Sequence, residues 1–412
     1  MPIELTPDPD VADLARRTAA FVREVVIPVE EQYGGNLGNR TRSGDESNVG
    51  DEIRARLQQA AREAGVFAPQ VPLEYGGRAL DMRAQAVVFE EAGYSLFGPL
   101  ALNIAAPDEG NMHLLERIAM PAQQSRYLRP LAVGEVRSCF AMTEPAPGAG
   151  SDPAALTTRA RRLPTGGWAI DGRKWFITGA DGAAFAICMA RTSGQPGDRG
   201  GATMFLVDAG NPGMKVVRHI DTLDESLFGG HCELVFDNCV VPDDAVLGDV
   251  DQGFAGAQVR LGPARMTHCM RWTGIARRAQ DIAVASTAER RAFGSRLAEL
   301  GMVQQMIADN EIDIAAARGL ILQACWELDQ GRSAAQSTAI AKTFTSEAVW
   351  RVVDRSLQMC GALGVSGDVL LSRFLREVRP FRIYDGPSET HRWAIAKRVV
   401  RRHVEANPGP NA

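Results

Sequence analysis

One carboxylate in this chain interrupts a helical pattern and raises the question of why. In "RIYDGPSETH" (Arg382–His391), Asp385 lies between an aromatic residue and a Gly-Pro break, near the end of an otherwise helical stretch. The plain account is a helix boundary, with Asp-Gly-Pro closing one helix and Ser388 opening the next, Glu389 in its first turn. A second stretch, "FAMTEPAPGAGSD" (Phe140–Asp152), sets the hydroxyls of Thr143 and Ser151 among small residues that let backbone N–H groups approach a ligand. A turn-rich connector would look the same. "GRKWFITGA" puts Trp175, Phe176 and Thr178 on one strand, which suits a flat hydrogen-bonding ring and equally a sheet core. "ERRAFGSRL" (Glu289–Leu297) carries Arg290 and Phe293 at a helical spacing of three. "QMCGALGVSG" (Gln358–Gly367) ends a long helix on closely spaced glycines; no strand precedes it, so it is no dinucleotide fingerprint, and its serine is not in a nucleophile elbow.

The elements that must position these residues fall into three regions. Residues 1–137 read as helical: "VADLARRTAAFVREVV", "DEIRARLQQAAREAG" and "MRAQAVVFEEAGYSL" repeat apolar residues at three and four, with a Gly/Asn/Ser-rich loop from Tyr33 to Gly50. Residues 138–250 change texture. "GGWAIDGRKWFITGA", "AAFAICMAR", "ATMFLVDA", "GMKVVRHI" and "HCELVFDNCVVP" are strands bounded by turn residues and without helices between them, which predicts an antiparallel sheet or barrel. Residues 251–405 return to long helices, the first predicted from Arg271, and pack naturally as a bundle of about four. A polar tail, 406–412, follows.

Composition narrows the function. The 412 residues carry 45 basic and 50 acidic side chains, a net charge of −5, which argues against nucleic acid as the main partner. Seven scattered cysteines with no C-x-x-C pair read as reduced thiols, and neither they nor the six histidines have metal-ligand spacing. The acidic, Pro-rich start is no signal or transit peptide, and no stretch has the apolar length of a membrane span. The expectation is a cytoplasmic α+β protein without a metal.

Taken in order, T-E-P…G-A-G-S-D, K-W-F-I-T, E-R-R-A-F-G, Q-x-x-G-A-x-G and Y-D-G-P-S resemble the acyl-CoA dehydrogenase family over nearly the whole chain. The resemblance implies an N-terminal helical domain, a middle antiparallel β-domain and a C-terminal four-helix bundle, with FAD bound non-covalently. Carried over by position, Phe140, Met142, Thr143, Phe176 and Thr178 should contact the flavin, Phe176 standing where the family usually has Trp. Arg290 and Phe293 should meet an FAD in a neighbouring subunit, alongside Gln358, Gly361 and Ala362, which implies a homodimer or homotetramer. Gly386 and Glu389 complete the FAD set, while Ser151, Arg265 and Tyr384 belong to the acyl-CoA side. Electrons would pass to an electron-transfer flavoprotein.

In the family, the position of Asp385 is usually Glu, the base that takes the α proton as a hydride leaves the β carbon for the flavin. Asp is shorter by one C–C bond, about 1.5 Å, and a misplacement of about 1 Å can cost on the order of a hundredfold in rate. Some members place the base on another helix, at the position of Ala264, where alanine cannot act; others carry Asp-Gly-Pro as here. Ala146 and Pro147 are an insertion within the T-E-P…G-A-G-S-D segment, and Gly301 replaces a Gln on the adenosine side. His391 is expected on a helix surface. The rival readings are a nitroalkane-oxidase-like flavin oxidase, which would use the same acid, and a non-catalytic scaffold.

Overall fold

The computed structural model describes residues 6–33, 47–224 and 229–407. The expected loop after Tyr33 lies outside them except for Ser47–Gly50, which already begin a helix, and so does most of the expected tail. The order is helices, strands, helices, as the periodicities require. By internal packing the chain divides into two compact units: residues 1–35, 80–99 and 265–412 form one, and residues 36–79 and 100–264 the other. The expected boundaries at 137 and 250 instead follow the change from helix to strand and back.

The second unit holds the sheet. Its strands are β1 Ser138–Ala141, β2 Arg159–Arg162, β3 Trp168–Thr178, β4 Phe185–Arg191, β5 Ala202–Asp208, β6 Met214–His219, β7 His231–Val241 and β8 Val246–Leu247. They run in the order β6-β7-β3-β2-β4-β5-β8, with β1 added beside β4. All pairings are antiparallel except β1 with β4 and a single contact of β2 with β4. The parallel pair arises because β2 and β3 intervene in sequence between β1 and β4, supplying the long crossover that parallel neighbours need.

The unbroken apolar run of β4 is buried on both faces. Phe185, Ile187 and Met189 join Met112, Leu115, Leu128 and Leu131 of the helical segments. Ala186, Cys188 and Ala190 face Trp168, Phe205 and Phe236 on the other side. A strand covered on both faces reads as a continuous hydrophobic run rather than an alternation. All seven cysteines are free and buried.

Between β3 and β7 the register shifts twice, between Ile170 and Gly172 and again between Lys174 and Ile177. Each shift holds a non-glycine residue with positive φ, Asn238 at 43° on β7 and Phe176 at 51° on β3. These are β-bulges, one extra residue first on β7 and then on β3.

The first unit is helical, built from Pro9–Phe21, Met82–Ala92, Gly301–Asp329, Ala335–Cys360, Leu371–Val378, Ser388–Ala406 and the later part of Gly253–Glu289. That last helix starts well before Arg271, running through Pro263. A proline inside a helix costs about 3 kcal/mol, and buried Ala257, Ala264 and Met266 around it offset this. Two glycines let this helix lie close to Met82–Ala92. A Cβ at Gly93 would sit 2.2 Å from the Arg271 carbonyl oxygen, and one at Gly274 would sit 2.3 Å from that of Glu90. Ion pairs secure the crossing: Arg277 reaches Glu90 and Glu91 at 2.9 and 2.8 Å, and Arg318 reaches Glu90 at 2.5 Å.

Candidate active site

The turn before the last helix is built around Asp385. A 3-10 turn, Arg379–Arg382, leads into it, and helix Ser388–Ala406 leaves it with Pro387 at the N-cap. The plain cap reading holds in part: a helix does start at Ser388 with Glu389 in its first turn, and its cap residue is Pro387. Asp385 has φ of 54°, a left-handed backbone that an L residue adopts at a cost of about 1–2 kcal/mol. Gly386 follows at φ 101°, and a Cβ there would meet His391 Nε2 at 2.7 Å. Glycine is required at that position on both grounds.

Three side chains pin the turn through its carbonyls. Arg265 Nε donates to the Asp385 carbonyl at 2.9 Å, and His391 Nε2 lies 3.1 Å from the same oxygen. Lys342 Nζ donates to the Gly386 carbonyl at 2.7 Å. His391 is buried rather than on the surface as expected, because Gly386 leaves the space into which its ring packs. Burial, with Arg265 and Lys342 nearby, pushes its pKa down to about 4, so it meets the carbonyl as a neutral N–H donor. Lys342 is wholly buried, and burial pushes its ammonium down to about 8 against the pull of Cys269 and Asp385.

The carboxylate of Asp385 points at His268, whose Nε2 lies 3.4 Å from Oδ2 with both side chains largely buried. His268 and Tyr384 rings are 4.9 Å apart, and Phe381 lies 5.5 Å from Tyr384. Trp272 Nε1 donates to the Tyr384 hydroxyl at 2.5 Å. The imidazole that faces the acid is thus itself packed against Tyr384 and Phe381. Sequence reasoning missed His268 and Lys342. The signals were present: Arg265, His268 and Trp272 recur at three and four on one helix, and Lys342 is a lone charge in "STAIAKTFT".

In the sheet unit, Phe140, Met142, Thr143, Phe176 and Thr178 cluster at the ends of β1 and β3. The Thr143 carbonyl accepts from Trp175 N at 3.0 Å and ties the two segments together. The Met142 carbonyl accepts from Lys174 Nζ at 3.1 Å, and Lys174 pairs with Glu144 at 2.8 Å, both side chains fully buried. The Phe140 ring lies 4.3 Å from the guanidinium of Arg260. Phe176 is not a core residue: the bulge turns it outward and leaves it 45% exposed beside Trp175. Thr178 Oγ1 is 3.0 Å from His231 Nδ1, and His231 Nε2 is 2.9 Å from Asp224. An outward aromatic ring beside an oriented hydroxyl fits the flat, hydrogen-bonding ring of a flavin. The insertion is contained locally, since Glu144 N donates to the Ala149 carbonyl at 2.7 Å and Ala146 and Pro147 occupy the turn between them.

The remaining expected residues lie on other elements. Ser151 is exposed on the sheet unit, whereas Arg265 belongs to the helical unit. Arg290 is exposed, and Phe293, at φ 51° in the turn between the short strands Arg291–Ala292 and Ser295–Arg296, is 93% exposed. Gln358, Gly361 and Ala362 are exposed around the end of Ala335–Cys360, and Glu389 is exposed in the first turn of the last helix. Among the described residues, no group of three or more His, Cys, Asp and Glu side chains could hold a metal, and no helix is long and apolar enough to cross a membrane.

Comparison with known proteins matches this arrangement region by region. Residues 9–135, 139–239 and 251–400 match the N-terminal, middle and C-terminal domains of acyl-CoA dehydrogenase. The chain is 36% identical over 395 residues to FadE2 of Mycobacterium tuberculosis, a probable acyl-CoA dehydrogenase, covering 95% of each. It is 35% identical over 352 residues to (R)-benzylsuccinyl-CoA dehydrogenase of Thauera aromatica, covering 84% of each. Among solved structures, butyryl-CoA dehydrogenase of Megasphaera elsdenii superimposes with a TM-score of 0.83 at 24% identity, over 96% of this chain and all of that one, and shows the fold. With all three of its regions matched, this chain belongs to the acyl-CoA dehydrogenase family and is an FAD-dependent oxidoreductase.

Proposed function

We propose that this chain converts an acyl-CoA thioester to the trans-2-enoyl-CoA, with Asp385 removing the α proton. The observation that carries the reading is the Asp385 turn itself: a largely buried carboxylate on left-handed backbone, with its own carbonyl and the next held by Arg265, His391 and Lys342. A base must be fixed to within a fraction of an ångström to act on a weak C–H acid. Three donors on two consecutive carbonyls supply that fixity and compensate for the shorter side chain. Tyr384, Phe381 and His268 exclude water around the acid, which favours proton uptake.

FAD, when bound, accepts the hydride that leaves the β carbon. Phe140, Met142, Thr143, Phe176 and Thr178 are assigned to its ring. Arg290, Phe293, Gln358, Gly361, Ala362, Gly386 and Glu389 are assigned to the rest of the cofactor, Arg290 and Phe293 from a second copy of the chain in a homodimer or homotetramer. Ser151, Arg265 and Tyr384 are assigned to the thioester. One nitrogen of Arg265 already serves the Asp385 carbonyl, so its other N–H groups would face the ligand. An electron-transfer flavoprotein is the proposed acceptor, in a cytoplasmic setting.

Anaerobic titration of the flavin with short, medium, long, branched and aromatic acyl-CoAs tests the reading, the last because of the relative named for benzylsuccinyl-CoA. Bleaching by one class, lost in Asp385→Asn, is expected. Flavin that stays oxidised with every thioester, but reacts with nitroalkanes and oxygen, would replace the dehydrogenase by an oxidase using the same acid.

A further inference from the structure

The base has a partner that neither the motifs nor the comparisons assign. We propose that His268 is a positioning residue for Asp385: a neutral imidazole, held with its proton on Nε2 by Arg271, that donates to the carboxylate and fixes the shortened side chain. The proposal rests on Asp385 being the base.

The assignment follows from donors and acceptors. Arg271 Nη2 lies 3.2 Å from His268 Nδ1. A guanidinium can donate and cannot accept, so Nδ1 must carry the lone pair and the ring proton must be on Nε2. Nε2 is the nitrogen that faces Asp385 Oδ2, at 3.4 Å. The two are at ion-pair distance without completing a hydrogen bond, and catalytic hydrogen bonds can tighten only once the substrate is in place. A protonated His268 would set a second donor and a like charge against Arg271, which is itself buried. The ring cannot swing away, since Tyr384 lies 4.9 Å from it, Phe381 6.0 Å, and Trp272 holds the tyrosine hydroxyl. With Nδ1 engaged by Arg271 and the proton on Nε2, His268 has no site at which to take a substrate proton itself.

Other charged groups around the acid come from every helix packed on it. Arg265 and Cys269 lie on the same helix as His268, Lys342 and Glu347 on Ala335–Cys360, and His391 and Arg398 on the last helix. None of them is removed by a substitution at 268. Arg271, which His268→Phe leaves without the Nδ1 acceptor, is a further cation on that helix whose field would lower rather than raise the acid's pKa, so an upward shift on losing the imidazole reports His268. A hydrogen bond to the ionised form lowers a carboxylate's pKa. Its loss must therefore move the acid limb of the base upward.

The test uses FAD-loaded protein and a thioester with exchangeable C2 protons but no removable β hydrogen, following solvent deuterium exchange against pH. His268→Phe, which keeps an aromatic ring, is expected to slow exchange about tenfold to a hundredfold and to raise the acid limb by about one pH unit. His268→Gln, which restores an N–H near the position of Nε2, should return most of both. Nitrogen-15 spectra of the wild-type imidazoles should show His268 protonated at Nε2 alone. A limb that does not move in His268→Phe, or a proton on Nδ1, overturns the proposal, and the spectra decide even if the variants do not fold. Exchange that survives in Asp385→Asn would instead remove Asp385 as the base, a separate result.

Discussion

Each of the two units buries one lysine completely, and the two lysines are treated in opposite ways. Lys174, on β3, meets the carboxylate of Glu144 at 2.8 Å. Glu144 also accepts from Thr157 N and Oγ1 and from Thr158 N, and its burial is outweighed by Lys174, which leaves its pKa at about 2. Lys342, in the helical unit, donates to a neutral carbonyl, with the Phe381 ring 5.2 Å away, and its pKa falls to about 8. The first lysine is half of a closed ion pair that braces the strand ends carrying the residues proposed to meet the flavin. The second is a cation held at a disadvantage beside Asp385, the proposed base.

The comparison can be broken most directly at Glu144. Glu144→Gln leaves Lys174 charged and buried without its partner, and the expected loss is about 3–5 kcal/mol, read as a fall in urea midpoint. A loss below about 1 kcal/mol would mean the pair is not closed. The same carboxylate stabilises the fold above its ordinary pKa of 4.5, and that contribution is lost as pH falls through about 2. Stability should therefore decline on the acid side in the wild type and lose that slope in the variant.

Lys342 predicts the opposite slope at the other end of the scale. Its folded pKa, about 8, lies below the ordinary 10.5, so its contribution is present above 10.5 and is lost as pH falls through about 8. Urea midpoints should rise between pH 8 and 10 in the wild type and stay flatter in Lys342→Met. At pH 7 that variant leaves the Gly386 carbonyl without this donor, at a cost of about 1–3 kcal/mol, partly offset by the relief of a buried charge. A turnover that is unchanged in Lys342→Met would show that the carbonyl hold does not serve the base. The smallest effect on stability belongs to Phe293→Ala. An exposed side chain should change the unfolding free energy by within about 0.5 kcal/mol, yet the FAD-to-protein ratio after gel filtration should drop.

Much of this was legible in the residues. The five quoted strands declare themselves by β-branched and aromatic runs between turn residues, and each is present within a few residues of its expected ends. Asp385 drew notice because an acid before Gly-Pro interrupts a helical pattern, and its proposed role came from the family resemblance. What periodicity could not give was contact across helices. His268 reads as one polar residue in "RMTHCMR", and its meaning depends on Arg271 a turn later and on Asp385 more than a hundred residues away. His391 was misplaced for the same reason: the space that buries it exists because Gly386 lacks a side chain. The start of Gly253–Glu289 was obscured by Pro263, a local breaker that packing on both sides overrides.

The paired bulges between β3 and β7 act like an insertion and a deletion in a reading frame. Ile170 and Thr178 are both paired in the outer frame, while Gly172–Lys174 are read one step out of it. That slip and its reversal let Lys174 and Ile177, three apart, both face inward while Phe176 faces out. Removing one residue from either strand would leave the frame uncorrected and turn the outward face of β3 around Phe176 inside out, whereas exchanging the outward aromatic for another would leave the frame intact. The position can thus change its ring without the sheet having to be rewritten.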